Sequence, residues 1–427
     1  MTRSWPVDSA TLDARRTRLA AEWKLEADEA VVVAAGTPIP RPGGQDQCLP
    51  YRVHPHFRWL TGLTEAGGML AFDPSDGWTE FLPTPTPMDA VWEGRLPLGR
   101  GRDIGEYEGW LAARAGRTVH RLGCGHDAPE DARADALERA FLHARRPKDA
   151  DELVLLRRAV AATAVGFAEA RALLAEGVTE RAVQIALESA SFRAGGETMG
   201  YDTIVGFGPT SAIFHAAPGG RALAAGDQVL VDAGAEVEGY TADVTRTWPG
   251  PGGFTALQKD CFDLLSAVET AACMACRPGV EWHDIHRLAA RGIAEGLRGF
   301  GLLRCGADEA LETEAIALFF PHGVGHLVGL GVRDASGTGP GRPVKRRCCG
   351  TTPRCDLILE PGYVATVEPG IYCIPTLLRD PDLRARYAGQ VAWDRVDAWM
   401  TPGGFRIEDD ILVTHGEPEN LTAGIPH

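Results

Sequence analysis

Gln228 to Trp248 reads QVLVDAGAEVEGYTADVTRTW, two apolar runs that each carry one aspartate and face each other across a Gly-containing turn. A tight hairpin centred on Val237 and Glu238 sets Asp232 directly opposite Asp243 on one sheet face. Opposed residues of that kind have Cβ atoms ~5 Å apart, so two like charges would be held together, an arrangement a sheet avoids unless something positive lies between them. A metal ion is one reading. Two solvated hairpin aspartates, or a register slipped by a bulge at Gly239, is the other.

Three further stretches place ligand-type side chains in apolar surroundings. FFPHGVGHLVGLG carries His322 and His326 four apart, and Gly323 and Gly325 argue against a helix there. In extended chain the even spacing still puts both rings on one side. YVATVEPGIYCI ends an apolar strand on Glu368 just before a Pro-Gly turn. A carboxylate there is exposed or held by a cation, because an unpaired buried charge costs several kcal/mol. GFRIEDDILVT alternates, with Arg406, Glu408 and Asp410 on one face and Phe405, Ile407 and Ile411 on the other. Taken alone, that segment reads as an internal Arg406–Glu408 ion pair. Taken together, four carboxylates and an imidazole suit Mn²⁺, Co²⁺ or Zn²⁺ rather than a thiolate-type structural zinc. Two such ions sharing carboxylates would support metal-assisted hydrolysis.

The elements that must position these residues follow from the rest of the chain. At 427 residues with 44% hydrophobic and 24% charged composition, it is an ordinary globular protein of two or three domains. A formal charge of −15 without a basic stripe argues against nucleic acid and anionic membranes. Ten scattered cysteines form no disulfide framework, and no apolar stretch suits a signal peptide or membrane span, so a cytoplasmic protein is expected. Cys273 and Cys276, and the loop cysteines Cys348, Cys349 and Cys355, read as incidental small hydrophobes.

Thr11 to Ala27 has the pattern of a surface helix. Val31 to Ala35, Phe57 to Leu63, Met69 to Phe72, Thr79 to Leu82 and Thr118 to Leu122 read as strands of a small α/β domain. RRPKDADELV, with a Pro near a helix start and acids in the first turn, opens a new long helix. The expected division is therefore 1–145 and 146–427. In the second part the pattern helix, Gly-Val turn, helix, strands occurs twice. Gly177-Val178 and Gly279-Val280 mark the turns at an offset of 102, with strands from Thr203 in one copy and from Leu318 in the other.

VDAG…GYTADVTRT, HGVGH, VEPGIY and RIEDD together resemble the signature of the pita-bread metallopeptidases, in particular the proline-specific branch of prolidase and aminopeptidase P. YRVHPHFRWLTGLTEAGGML is similar to the N-terminal domain of that branch. The resemblance implies a small N-terminal α/β domain of the creatinase and aminopeptidase P type. A C-terminal pita-bread domain would follow, its duplicated helix-helix-strand halves arranged around a curved antiparallel sheet. It also implies Asp232, Asp243, His326, Glu368 and Glu408 as ligands of two divalent ions, Mn²⁺ first with Zn²⁺ or Co²⁺ as alternatives, Asp243 and Glu408 bridging. Glu368 would relay a proton, and His215 and His322 would stabilise the oxyanion. Arg354, in TPRCDLILEPG, stands where prolidases carry the arginine that grips the dipeptide carboxylate. Arg333, Tyr372 and Arg406 complete the substrate side. Where the family has a histidine in a Val-His-Asp context this chain has Arg333, which either assists carboxylate binding or pairs with Asp334 at the rim. The function implied is hydrolysis of Xaa-Pro dipeptides by a homodimer. Aminopeptidase P activity on longer peptides and a metal-free peptide-binding relative are the alternatives.

Overall fold

The computed structural model describes residues 7–44, 47–123, 131–399 and 403–427, and divides the chain into two compact units, Met1–Arg145 and Arg146–His427. The first unit is built on a five-stranded mixed sheet. The inner strand Glu29–Ala34 pairs antiparallel with the central strand Met69–Asp73 and parallel with the edge strand Thr118–Leu122. Helices Ser9–Trp23 and Ala132–Arg145 pack together, with the Trp23 indole donating to the Leu137 carbonyl. Residues 57–63, whose aromatic and apolar content reads as a strand, lie instead in and just beyond the helix Pro55–Thr61. Pro55 takes the first turn, His54 caps the His56 amide, and Gly62 ends the helix at φ 70°.

The second unit repeats one arrangement. Helices Ala150–Ala172 and Glu180–Arg193 lead to strands Ile204–Phe207 and Gln228–Ala233. Helices Ala256–Met274 and Trp282–Gly299 lead to strands Val364–Val367 and Asp409–Leu412. The equivalence extends to single hydrogen bonds. Gly177 (φ 87°) donates to the Leu223 carbonyl and Leu223 back to Val178; Gly279 (φ 84°) donates to Leu359 and Leu359 back to Val280. In both copies a left-handed glycine follows, Gly226 and Gly362, and the sixth residue beyond it is an acid: Asp232 in one half, Glu368 in the other.

Val364–Val367 pairs antiparallel with Asp409–Leu412, and Gln228–Ala233 with Val244–Pro249. The bridge Thr245–Glu408 joins the two ladders. The large apolar core of this unit runs from Leu265, Trp282 and Ile293 on the helices to Val367, Ile371, Ile407 and Ile411 on the strands. A second core around Phe167, Val231 and Trp248 backs the first half. Strands do not resume at Leu318. The 3₁₀ helix Ala315–Leu318 is followed by irregular chain, in which Gly325 lies so close to the Thr366 carbonyl that a Cβ would come within 2.1 Å of it. No described helix is long and apolar enough to cross a membrane.

Candidate metal centre

The hairpin that carries the two aspartates turns on Glu238 (φ 53°) and Gly239 (φ 82°), the left-handed pair of a type I′ turn. The pairing is therefore shifted from the expected register, and Thr245, not Asp243, lies opposite Asp232. Because the shift preserves parity, Asp243 stays on the same face as a diagonal neighbour. A single hydroxyl, that of Tyr201, lies 2.7 Å from Asp232 Oδ1 and 2.6 Å from Asp243 Oδ1.

His326 comes to this pair from the irregular glycine-rich segment. Its Nδ1 lies 3.1 Å from the Leu327 carbonyl, which fixes the tautomer and leaves Nε2 as a lone-pair donor 3.5 Å from Asp243 Oδ2 and 4.0 Å from Glu368 Oε1. Glu408 adjoins through its strand bridge, and its Oε2 accepts from the Thr245 hydroxyl at 2.6 Å. Asp243, His326 and Glu408 present ligand atoms all within 4.8 Å of one another. The Asp243 amide is tied to Asp410 Oδ2 at 3.0 Å, so Asp410 supports the ligand strand from behind.

Charge balance in this cluster is uneven. Asp232, Asp243 and Glu408 are buried and Glu368 nearly so, while the one buried cation among them is Arg406. Burial, then the neighbouring Asp232 charge, raises the Asp243 carboxyl well above the usual carboxylate range. Burial and then Asp243 do the same to Glu408. Burial pushes Glu368 up to about 7, and it holds the His322 and His326 rings neutral, down to about 3. Oxygen-rich, negatively overcharged and supplied with one neutral imidazole nitrogen, the donor set fits divalent cations of the Mn²⁺ or Zn²⁺ kind.

The expected Arg406–Glu408 pair does not form. Arg406 reaches across to Asp232 Oδ2 at 2.5 Å, to the Tyr372 hydroxyl at 2.9 Å and to Thr245 Oγ1 at 3.1 Å. Expected on the substrate side, its guanidinium is spent on neutralising and orienting a carboxylate. Tyr372, likewise expected there, is buried and sits 3.0 Å from His322 Nε2, whose Nδ1 lies 2.8 Å from the Gly323 carbonyl. The chain Arg406, Tyr372, His322 thus sets the orientation of the His322 ring, with Nδ1 3.7 Å from Glu368 Oε2.

Asp232, Asp243, His322, His326, Glu368, Arg406 and Glu408 line a cavity of about 670 Å³, walled also by His215, Arg333 and Arg354. His215, Arg333 and Arg354 are exposed to it. The alternative of an Arg333–Asp334 pair fails, because Asp334 is buried against Lys148 at 3.1 Å. Among the described residues neither Arg333 nor Arg354 forms an ion pair, and burial followed by Arg333 lowers the Arg354 pKa. Tyr201, Thr245 and Asp410 were not singled out as site residues in the sequence. Only the alternation placing Asp410 on the face of Glu408 hinted at one of them.

A model of metallopeptidase family M24 matches residues 154–415, and one of the aminopeptidase P N-terminal domain matches residues 12–99. A probable Xaa-Pro aminopeptidase of Tuber melanosporum is 28% identical over 403 residues, 88% of this chain and 85% of the relative. An Xaa-Pro dipeptidase of Stenotrophomonas maltophilia is 35% identical over 285 residues, 65% of this chain and 63% of the relative. The structure of zinc-substituted Escherichia coli aminopeptidase P in complex with product superimposes with a TM-score of 0.78 at 27% identity, covering 98% of this chain and 96% of that one.

Proposed function

The chain belongs to metallopeptidase family M24 and is of its Xaa-Pro type, and on that premise we propose that it is a dipeptidase that cleaves Xaa-Pro dipeptides. The observation that carries this reading is the pair of exposed arginines in the cavity, neither of which forms an ion pair among the described residues. In a dipeptide the free carboxylate lies one residue from the scissile bond, within reach of the wall that holds Arg333 and Arg354. A bidentate guanidinium grip on that carboxylate favours short substrates.

Asp232, Asp243, His326, Glu368 and Glu408 would hold two divalent ions, Mn²⁺ first. Such ions, when bound, supply Lewis acidity toward a peptide carbonyl and toward water. The protein's own groups do the rest. Glu368, with its carboxyl raised to about 7 and its side chain 18% exposed, can take up a proton and return it to the leaving proline nitrogen. His322, kept neutral and oriented by Tyr372 and the Gly323 carbonyl, and His215 on the open wall would face the developing oxyanion. Arg406 positions Asp232 and Tyr372 from the cavity wall, where it remains on the substrate side.

Aminopeptidase P activity is the second reading, favoured by the match of the N-terminal unit and the likeness over nearly the whole chain. The deciding experiment compares kcat/KM for a dipeptide ending in proline with that for a tripeptide with proline second, each with Mn²⁺ and with Zn²⁺. A dipeptide advantage of about tenfold or more, equivalent to ~1.4 kcal/mol, is expected; a tripeptide advantage replaces this reading with the second. A cytoplasmic homodimer is the assembly proposed. The nine described cysteines, all free thiols, fit a reducing compartment, and light scattering on the purified protein measures the oligomer.

A further inference from the structure

Away from the cavity, residues 348–351 make a two-residue turn against the helix Trp282–Gly299. Cys348 and Thr351 exchange both backbone hydrogen bonds, at 2.9 and 3.0 Å, and the tip residues Cys349 (φ 49°) and Gly350 (φ 84°) are left-handed. This geometry turns the Cys349 thiol back beside that of Cys348, with the sulfurs 3.8 Å apart. A ring nitrogen of His286, from the helix, completes a triangle whose three donor atoms lie within 4.8 Å of one another. His286 is fully buried, its Nε2 lies 3.2 Å from the Thr351 hydroxyl, and its Nδ1 has no hydrogen-bond partner among the described residues.

Two thiolates on one tetrahedral zinc at ~2.3 Å each stand ~3.8 Å apart, the separation found here. We propose that His286, Cys348 and Cys349 form a mononuclear site for a thiophilic divalent cation of the zinc and cadmium class, with its fourth position open to solvent. Cys349 is only half buried, which gives the ion an entry path, whereas Cys348 and His286 are enclosed. The imidazole is already in its ligating form, since burial lowers its pKa to about 4. The contact between the two thiols lowers the pKa of Cys348 and raises that of Cys349, so only one of the pair is predisposed to ionise before a cation binds. Binding releases thiol protons and forms two metal–sulfur bonds and one metal–nitrogen bond, with no change of oxidation state. The site differs in kind from the carboxylate cluster, which offers no sulfur. The ring of Phe320 packs 5.3 Å from His286 on one side and 4.9 Å from His322 on the other.

The test titrates Cd²⁺ into the reduced, full-length protein held in excess Mn²⁺ under anaerobic conditions. Sulfur-to-cadmium charge-transfer absorption reports thiolate ligation alone, so carboxylate-bound cadmium is silent. The expected result is a band that saturates at one cadmium per chain and is lost in the Cys348→Ser/Cys349→Ser double variant. In His286→Asn the midpoint should move to at least about tenfold higher cadmium. Should the double variant not fold, Cys349→Ser alone is read, and loss of the band again supports the site. Absence of a band in the unaltered protein overturns the proposal. So does a band of full amplitude in the cysteine variants, which places uptake at other thiols, and so does an unchanged midpoint in His286→Asn, which removes the imidazole from the ligand set.

Discussion

Burial first, then a neighbouring carboxylate (Asp232 for Asp243, Asp243 for Glu408), biases both Asp243 and Glu408 toward protonation, and both are proposed bridges between ions. Asp243→Asn and Glu408→Gln should each abolish turnover and reduce bound metal below two per chain, because each removes a charged oxygen that neither Arg406 nor Tyr201 can replace. Activity assays paired with metal analysis of the purified variants check this, and near-normal turnover with two metals bound would remove the dinuclear reading. Arg354 and Arg333 are tested as a pair. Arg354→Ala should raise KM for the dipeptide about thirtyfold, corresponding to a charge-assisted contact of ~2 kcal/mol, and leave the tripeptide unaffected. Arg333→His should narrow the difference between the substrates and add a pH limb between about 6 and 7, since a guanidinium keeps its charge where an imidazole loses it. Profiles of kcat/KM against pH on both substrates decide the matter, and equal losses on both would make the arginines structural.

At the scale of elements, the hairpin works because Gly234 lets two strands approach more closely than any side chain would allow. A Cβ there would stand 1.6 Å from the Ala242 carbonyl oxygen, a backbone atom that cannot step aside. Gly234→Ala should therefore cost ~3 kcal/mol or more and weaken metal binding, because the displaced strand carries Asp243. Thermal unfolding with and without Mn²⁺ measures both effects, and an unchanged melting temperature would show that the ladder has slack. The hairpin itself was legible from its apolar runs, but its register was not. The turn fell one residue further along because Glu238 accepts a left-handed conformation, which a sequence reader assigns only to glycine or asparagine. The duplication was visible in the two Gly-Val turns. The better signal, an acid six residues beyond a left-handed glycine in each half, needs the backbone to show which glycines correspond. Tyr201 and Thr245 left no trace in the sequence, since their roles depend on strands distant in the chain.

At the scale of the molecule, stability has a component set by a buried acid outside the site. Glu269, on the helix Ala256–Met274, accepts from the Cys273 thiol at 2.7 Å; burial first and the nearby Asp409 second raise its pKa to about 8. The folded state thus keeps a proton that the unfolded chain releases near 4.5, so this group favours folding at low pH. Its contribution declines as pH rises toward 8, by up to about 1.4 kcal/mol per pH unit. Glu269→Gln, which preserves the acceptor for Cys273, should lose less melting temperature than the unaltered protein as pH rises from 5 to 8. Parallel curves would show that Glu269 titrates normally. Fold class and the four segments that meet at the candidate site were readable because each segment couples an apolar strand or a glycine-rich stretch to one chemically distinctive side chain. The helix at Pro55–Thr61 was missed because aromatic content outweighed its capping residues.

The division of acids between the two repeats bears on how the protein is made. Asp232 and Asp243 leave the ribosome long before Glu368 and Glu408, and the Asp243–His326–Glu408 cluster closes only when the strand Asp409–Leu412 pairs with Val364–Val367. A nascent chain halted anywhere before that strand holds its first acids without the partners that would trap an ion. With the ligand set proposed above, metal capture would be a late event in biosynthesis, and an interrupted polypeptide would have no hydrolytic activity.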